Sequence, residues 1–501
     1  MKRSSGILLP ISSLPSKGGI GTLGREARRF IDFLHEAKQS WWQILPVGPT
    51  SYGDSPYQCP STFAGNPYFI DLDILKREGL LKKNEIDDIT WGDDPMYVDY
   101  ALLYEKRGPL LRKAAIRGLK RDDPGFESFK AENSGWLQEY SLFMALKQSF
   151  GMVSWTEWPD EGARMRDPET LDRCRQQLAG EIEIISYIQY LFFRQWNDLR
   201  DYAHEKGIGI IGDLPIYVAL DSADVWAERE FFQIGEDGLP DKVAGVPPDY
   251  FNEDGQLWGN PLYDYERMKQ DGYGWWIRRI GGAARLYDVI RIDHFRGFES
   301  YWAVPYGETT ARNGEWIKGP GMDLIGPLKG WFRDLNFIAE DLGYPTDEVK
   351  QLLADSGFPG MKVLEFAFDE KLESTDMPFR HKPGCICYTG THDNPPVKAW
   401  EKIAEPSEIK IAREYLGLAK GQDLSEAMIR AGMGSVAELF VAQMQDWLGL
   451  GKEARMNTPG ILGGNWMWRL LPGQLDKKLA AKIARMTKLY GRSEEECQKS
   501  V

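Results

Sequence analysis

Eight short apolar runs, most of them separated by segments of helical periodicity, constrain this 501-residue chain more than any other feature. They cover residues 6–11, 41–47, 207–218, 286–295, 336–342, 361–366, 385–391 and 439–444. Between the first two, positions 23, 27, 30, 31, 34 and 37 are apolar at helical spacing. Strands alternating with helices run parallel, because the crossover helix carries the chain back to the end where the previous strand began. Eight such repeats favour a closed ring over an open sheet. The predicted fold is α/β, a (β/α)8 TIM barrel over residues 1–501 with insertions at the rim formed by the strand C-termini. Residues 48–206 are expected as a mostly helical insertion between strands 2 and 3. Residues 220–281 read as a Gly/Pro/Tyr-rich insertion, and 395–435 as a helical one after strand 7.

Several function classes are disfavoured early. The greasiest run, 184–193, is cut by Ser186 and Gln189, and the N-terminal apolar stretch stops at Pro10. Neither suits a membrane span or a signal peptide, so a cytoplasmic location is expected. Sixty-one basic against 75 acidic residues give a net charge of −14, which repels phosphate backbones and anionic lipid. Neither nucleic acid nor a membrane is an expected partner. The five cysteines (Cys59, Cys174, Cys385, Cys387, Cys497) are an odd number suited to a reducing compartment. Only Cys385 and Cys387 lie close together, and no HxH or HExxH spacing occurs, so no metal is expected. Gly19-Ile20-Gly21-Thr22-Leu23-Gly24 matches the dinucleotide fingerprint. Residues 12–17 separate it from its strand, however, and the next strand ends at Pro46-Val47-Gly48 without the required acid. It reads as a Gly-rich loop entering a helix, and no cofactor is expected. No G-x-S-x-G motif supports a serine triad.

What remains points to sugars. Eighteen Trp, 22 Tyr and 22 Phe make 12% of the chain aromatic, and many lie in Gly/Pro-rich loops. Core packing accounts for most of them, but a ring in such a loop can also stack on the CH face of a pyranose. Four acids fall at the C-terminal ends of separate strand runs: Asp213, Asp293, Glu340 and Asp393. A single strand-end acid is often a helix cap, whereas four on one barrel rim point to chemistry. Arg291 and Asp293, two apart, face the same way on a strand. The pair could be a structural ion pair. Read functionally, the guanidinium is expected to lower the pKa of Asp293 and keep it ionised as a nucleophile. Glu340 would be raised by burial and by that charge, and so act as an acid. Two carboxylates roughly 5–5.5 Å apart are the machinery of a retaining glycosidase. His294 and His392 adjoin two of the acids and suit hydrogen bonding to sugar hydroxyls as neutral imidazoles.

The four strand-end segments resemble the shared regions of the α-amylase clan, and their wording is similar to glycoside hydrolase family 77, the 4-α-glucanotransferases (amylomaltases or disproportionating enzymes). The resemblance spans nearly the whole chain and includes Tyr52-Gly53-Asp54-Ser55-Pro56-Tyr57-Gln58, Gly255-Gln256-Leu257-Trp258-Gly259-Asn260-Pro261 and Met456-Asn457-Thr458-Pro459-Gly460. It implies Asp293 as nucleophile, Glu340 as general acid/base and Asp393 as the acid that stabilises the transition state through sugar hydroxyls. It implies sugar contacts from Ser55, Tyr57, Asp213, Gln256, Trp258, Arg291, His294 and His392, a mobile acceptor-side loop from Tyr250 to Gln256, and a second glucan site at Tyr52. The expected partners are α-1,4-glucans and maltooligosaccharides. Two departures stand out: Pro10 where many relatives have His, and Pro395-Pro396 where many continue with Asp-Thr. The alternatives are an α-1,4-glucan hydrolase of the same clan, a non-catalytic glucan-binding protein and a nucleotide-dependent oxidoreductase. The presence of all three acids argues against the second.

Overall fold

The computed structural model describes residues 2–51, 53–248, 252–343 and 346–493. Its strands are β1 (Ser4–Leu8), β2 (Trp41–Gln43), β3 (Gly209–Leu214), β4 (Lys242–Val246), β5 (Gln256–Pro261), β6 (Val289–Ile292), β7 (Ser300–Pro305), β8 (Glu315–Lys318), β9 (Asn336–Ala339), β10 (Met361–Val363), β11 (Ile386–Tyr388) and β12 (Leu439–Gln443). Eight form one parallel sheet in the order β10-β11-β12-β1-β2-β3-β6-β9. Ala339, at the end of β9, pairs in parallel with Gly360, just ahead of β10, and this contact closes the ring. The chain therefore folds as a (β/α)8 barrel; seven of the eight apolar runs contain one of its strands, and the run 6–11 overlaps the last three residues of β1.

The strands are short and almost wholly buried. Helices from the intervening segments cover them. In Arg25–Glu36, residues Ala27, Phe30, Ile31, Phe33 and Leu34 are buried, and Phe30 meets Trp42 of β2 edge-on at 5.0 Å. Between β2 and β3 the longest helices are Tyr100–Gly118, Ser134–Ser149 and Ala179–Glu205. After β11 come Val397–Ile403, Pro406–Tyr415 and Leu424–Gly434. Among the described residues no helix is long and apolar enough to cross a membrane.

A second sheet, antiparallel in the order β5-β4-β7-β8, stands beside the barrel. Two of its strands come from the Gly/Pro/Tyr-rich segment and two from residues after β6, where the sequence pattern suggested no strand. Gln58 Nε2 donates to Asn260 Oδ1 at 3.1 Å, which joins the turn carrying Tyr57 to β5.

Close packing sets the position of the rim. A Cβ at Gly212, the residue before Asp213, would lie 2.1–2.3 Å from ring atoms of the buried Tyr287. Gly212→Ala must push that ring aside at a cost of about 1–3 kcal/mol. A melting temperature lower than that of the parent is the expected result, and an unchanged one would show that the ring yields freely.

Candidate active site

The floor of the site is an ion cluster between two neighbouring strands. Asp213 of β3 and Arg291 of β6 are paired residues in the ladder. Arg291 Nη1 donates to both Asp213 oxygens at 2.7 Å and to Asp293 Oδ1 at 2.9 Å. Tyr57 Oη donates to Asp213 Oδ2 at 2.8 Å. The side chain of Asp213 has no exposed surface and that of Arg291 only 3%, whereas Asp293 keeps 27%. Asp213 and Arg291, expected among the residues that line the sugar, lie beneath Asp293, where Arg291 Nη1 ties both carboxylates together and Tyr57 holds Asp213.

Asp293 follows β6 directly, and His294 then takes a left-handed backbone with φ of 52°, a conformation that costs of order 1 kcal/mol for a non-glycine residue. The turn aims the His294 backbone N–H at Glu340 Oε2, 2.7 Å away. Leu342 N donates to Glu340 Oε1 at 2.9 Å. Glu340 is therefore fixed from both sides at the end of β9, beside the residue that follows Asp293.

Burial is the largest influence on both carboxyl groups and raises both, Glu340 to about 7 and Asp293 to about 6. Arg291 does lower Asp293, as expected, but it only partly offsets desolvation, so the net shift is upward rather than downward. The order of the two agrees with the geometry. Arg291 touches Asp293 directly, whereas Glu340 feels the Asp293 charge as its second-largest influence, also upward. Between those values the pair holds one charge and one proton. Burial pushes His294 down to about 3, so its imidazole is neutral. The Trp258 ring meets it edge-on at 4.8 Å, and Trp258 Nε1 donates to Gln256 Oε1 at 3.1 Å.

Across the rim, Asp393 lies in the turn after β11 with 41% of its side chain exposed. Asn457 Nδ2 donates to Asp393 Oδ1 at 2.6 Å, Arg455 Nη2 donates to its carbonyl at 2.9 Å, and His392 Nε2 lies 3.3 Å from Oδ1. The Tyr57 ring stacks on His392 at 5.1 Å and 17°, with Trp466 against both rings. Ser55 Oγ accepts from the Tyr57 backbone N–H at 3.2 Å and shapes the turn that presents the ring. Pro396 caps the helix Val397–Ile403, so the Pro395-Pro396 departure starts a helix just beyond Asn394. Asp393 acts on the charge of Asp293, which places all three acids in one electrostatic cluster. Tyr52 and Tyr250 lie outside the described residues. Arg455 and Trp466 have no place in the sequence reading, and Asn457 stands there only within a string of resemblance, with no role. Trp466 follows Gly463-Gly464-Asn465, the loop-aromatic signature that could have found it. Among the described residues no group of three or more His, Cys, Asp and Glu is arranged to hold a metal ion.

Arg291→Lys tests the floor. A lysine offers a compact ammonium in place of the planar fork, so the cation sits less closely against Asp293. Losing part of the one large influence that lowers Asp293 raises its pKa, and the acid limb of activity moves to higher pH. The expected drop in kcat is about tenfold or more. An acid limb identical to that of the parent would remove Arg291 from this role.

Comparison with known proteins places this constellation. The family model for glycoside hydrolase family 77, described as 4-alpha-glucanotransferase, matches residues 9–474. A 4-alpha-glucanotransferase of Clostridium butyricum is 46% identical over 97% of this chain and 100% of its own. One of Streptococcus pneumoniae is 47% identical over 99% and 98%. The structure of an amylomaltase from Streptococcus agalactiae in complex with acarbose superposes with a TM-score of 0.96 at 42% identity, covering 98% of this chain and 100% of that one. With its barrel, its three rim acids and matches that run almost end to end, the chain belongs to glycoside hydrolase family 77, the 4-α-glucanotransferases.

Proposed function

We propose that this protein transfers segments of α-1,4-glucan from a donor to the 4-hydroxyl of an acceptor glucan or glucose by a retaining double displacement. The observation that carries the reading is the pair of carboxyl groups at the rim, with Asp293 against Arg291 and Glu340 held by two backbone N–H groups beside it. A donor glucan lies with its glycosidic oxygen at Glu340 and its anomeric carbon above Asp293. Asp293 attacks that carbon, the bond to the glycosidic oxygen breaks, and the Glu340 proton passes to the departing 4-oxygen. The product is a β-linked glucosyl ester. Glu340, now a carboxylate, takes the proton from the 4-hydroxyl of the acceptor as that oxygen displaces Asp293. The two inversions restore the α configuration.

The remaining residues hold the sugar. Asp393, steadied by Asn457, accepts from ring hydroxyls and strengthens that grip as positive charge develops. His294 and His392 supply hydrogen bonds, Tyr57 and Trp258 supply rings, and Ser55 and Gln256 fix those rings in place. Transfer prevails over hydrolysis when an oriented acceptor competes with water, and orientation contributes several kcal/mol in general. The aromatic wall around Trp258 and His294 is where acceptor selection would occur.

The substrates are α-1,4-glucans and maltooligosaccharides, a reading supported by the acarbose complex of the S. agalactiae relative. The net charge of −14 argues against nucleic acid or an anionic membrane as partner. The unpaired cysteines Cys59, Cys174, Cys385 and Cys387 agree with a cytoplasmic location. The relatives compared are transferases by name, so the hydrolase alternative is not favoured. Thin-layer analysis with maltotriose tests the reading. A ladder of longer oligomers plus glucose, with little gain in reducing ends, is expected. Products dominated by new reducing ends would overturn it in favour of hydrolysis.

A further inference from the structure

Behind the Asp393 turn lies a buried carboxyl group that the mechanism leaves unused. Glu365 sits two residues past β10, on the same rim as the three acids, and is only 5% exposed. Neither of its oxygens meets full hydrogen-bond geometry with a described residue, although the Asn394 amide lies close enough to act on the carboxyl. Its backbone N–H donates to the Thr389 carbonyl at 3.3 Å, at the root of the turn. A Cβ at Gly390 would meet Asn394 Cβ at 2.9 Å, Gln443 Nε2 at 2.9 Å and Glu365 Oε1 at 3.1 Å, so the carboxyl lies hard against the turn.

Three groups act on Glu365. Asp446 repels its charged form, while the Asn394 side chain and the Arg455 guanidinium favour it. Burial outweighs both and drives the group well above the ordinary carboxyl range, so Glu365 is a neutral acid. Asp446 already grips the turn from below, accepting from Thr389 Oγ1 at 2.6 Å and from Val397 N at 2.8 Å. Arg455 grips it from the side through the Asp393 carbonyl at 2.9 Å. A charged Glu365 would compete with that carbonyl for Arg455 and set a negative charge behind Asp393. A neutral acid does neither, and it can offer a donor and an acceptor to the Asn394 amide.

We propose that Glu365 is a positioning residue: its buried carboxyl group, packed against Gly390 and Asn394, holds the turn that presents Asp393 to the sugar. The proposal rests on Asp393 acting on substrate hydroxyls, as read above. The test compares kcat and KM for maltotriose, together with melting temperature, in the parent, Glu365→Gln, Glu365→Met and Asp393→Asn. Glu365→Met keeps the volume and removes the polar group, with Glu365→Leu as its stand-in if it does not fold. The expected result is a loss of about tenfold in kcat with KM nearly unchanged. The melting temperature should be equal or higher, since the carboxyl group no longer has to be buried. Glu365→Gln, which also carries a neutral donor and acceptor, should restore kcat to within about threefold of the parent. Full kcat in Glu365→Met, a Glu365→Gln as poor as Glu365→Met, or parallel collapse of kcat and melting temperature would each overturn the proposal. Retained activity in Asp393→Asn would instead overturn the reading beneath it, so the two failures are distinguishable.

Discussion

Replacing Asp293 by Asn removes transfer on maltotriose almost completely, by more than about 10⁴-fold in kcat, while the protein stays folded. The substitution is nearly isosteric, and the Oδ1 position that accepts from Arg291 at 2.9 Å is kept by the amide oxygen. Arg291 also remains bound to both oxygens of Asp213 at 2.7 Å, so the floor has no reason to rearrange. What is lost is the charged oxygen that would bond to the anomeric carbon. Without it the glucosyl ester cannot form, and both half-reactions stop. Desolvation already holds Asp293 up to about 6, so the amide also spares the site a buried charge, and no large fall in melting temperature is expected. Initial rates of glucose release from maltotriose, melting curves and calorimetric titration with a maltooligosaccharide separate the possibilities. More than about a tenth of the parent rate in a folded, glucan-binding variant would show that another group is the nucleophile.

Features that depend on neighbours in sequence were largely legible before any coordinates. Seven of the eight barrel strands lie inside an apolar run, and β1 overlaps its run from Gly6 onward, because strands buried on both faces are mostly apolar, with residues such as Arg291 and Gln443 as exceptions. The runs overshoot the strands: the segment 41–47 contains only β2, Trp41–Gln43, since Ile44 makes a last backbone hydrogen bond to the Ile211 carbonyl and Leu45 to Val47 continue buried into the rim loop. The four strand-end acids stood out for the same local reason. Relations between distant segments were not legible. β7 pairs with its sequence neighbour β8 on one side, but on the other with β4, from before β6. Asn457 reaches Asp393 from 64 residues away, an approach set by tertiary packing alone. The direction of the Asp293 shift was misread because Arg291, two residues away, is visible in the sequence, whereas the depth at which the pair is buried is not.

Glu340→Gln divides the two half-reactions. The amide can accept from only one of the His294 and Leu342 backbone N–H groups, which lie 2.7 and 2.9 Å from the two carboxylate oxygens, and it can neither give nor take the proton. On maltotriose the loss is expected at about 10²–10⁴-fold, the usual contribution of general acid–base catalysis. In the parent, Asp293 has to be ionised and Glu340 protonated, so activity falls below about 6 and again above about 7. These limbs belong to the coupled pair as a whole. In Glu340→Gln the alkaline limb at about 7 disappears, because the group that loses its proton there is gone. A donor whose leaving group needs no proton, such as an α-maltosyl fluoride, should still glycosylate Asp293. The intermediate then accumulates, because the acceptor hydroxyl has lost its base. Azide, a nucleophile that brings no proton to remove, should discharge it and give the α-glycosyl azide, the product of two inversions. Mass spectrometry of the intact protein reads the trapped ester, and product analysis reads the anomer. An unchanged alkaline limb in Glu340→Gln at useful rates would assign the proton to another residue, and a β-azide would mean that only one inversion had taken place.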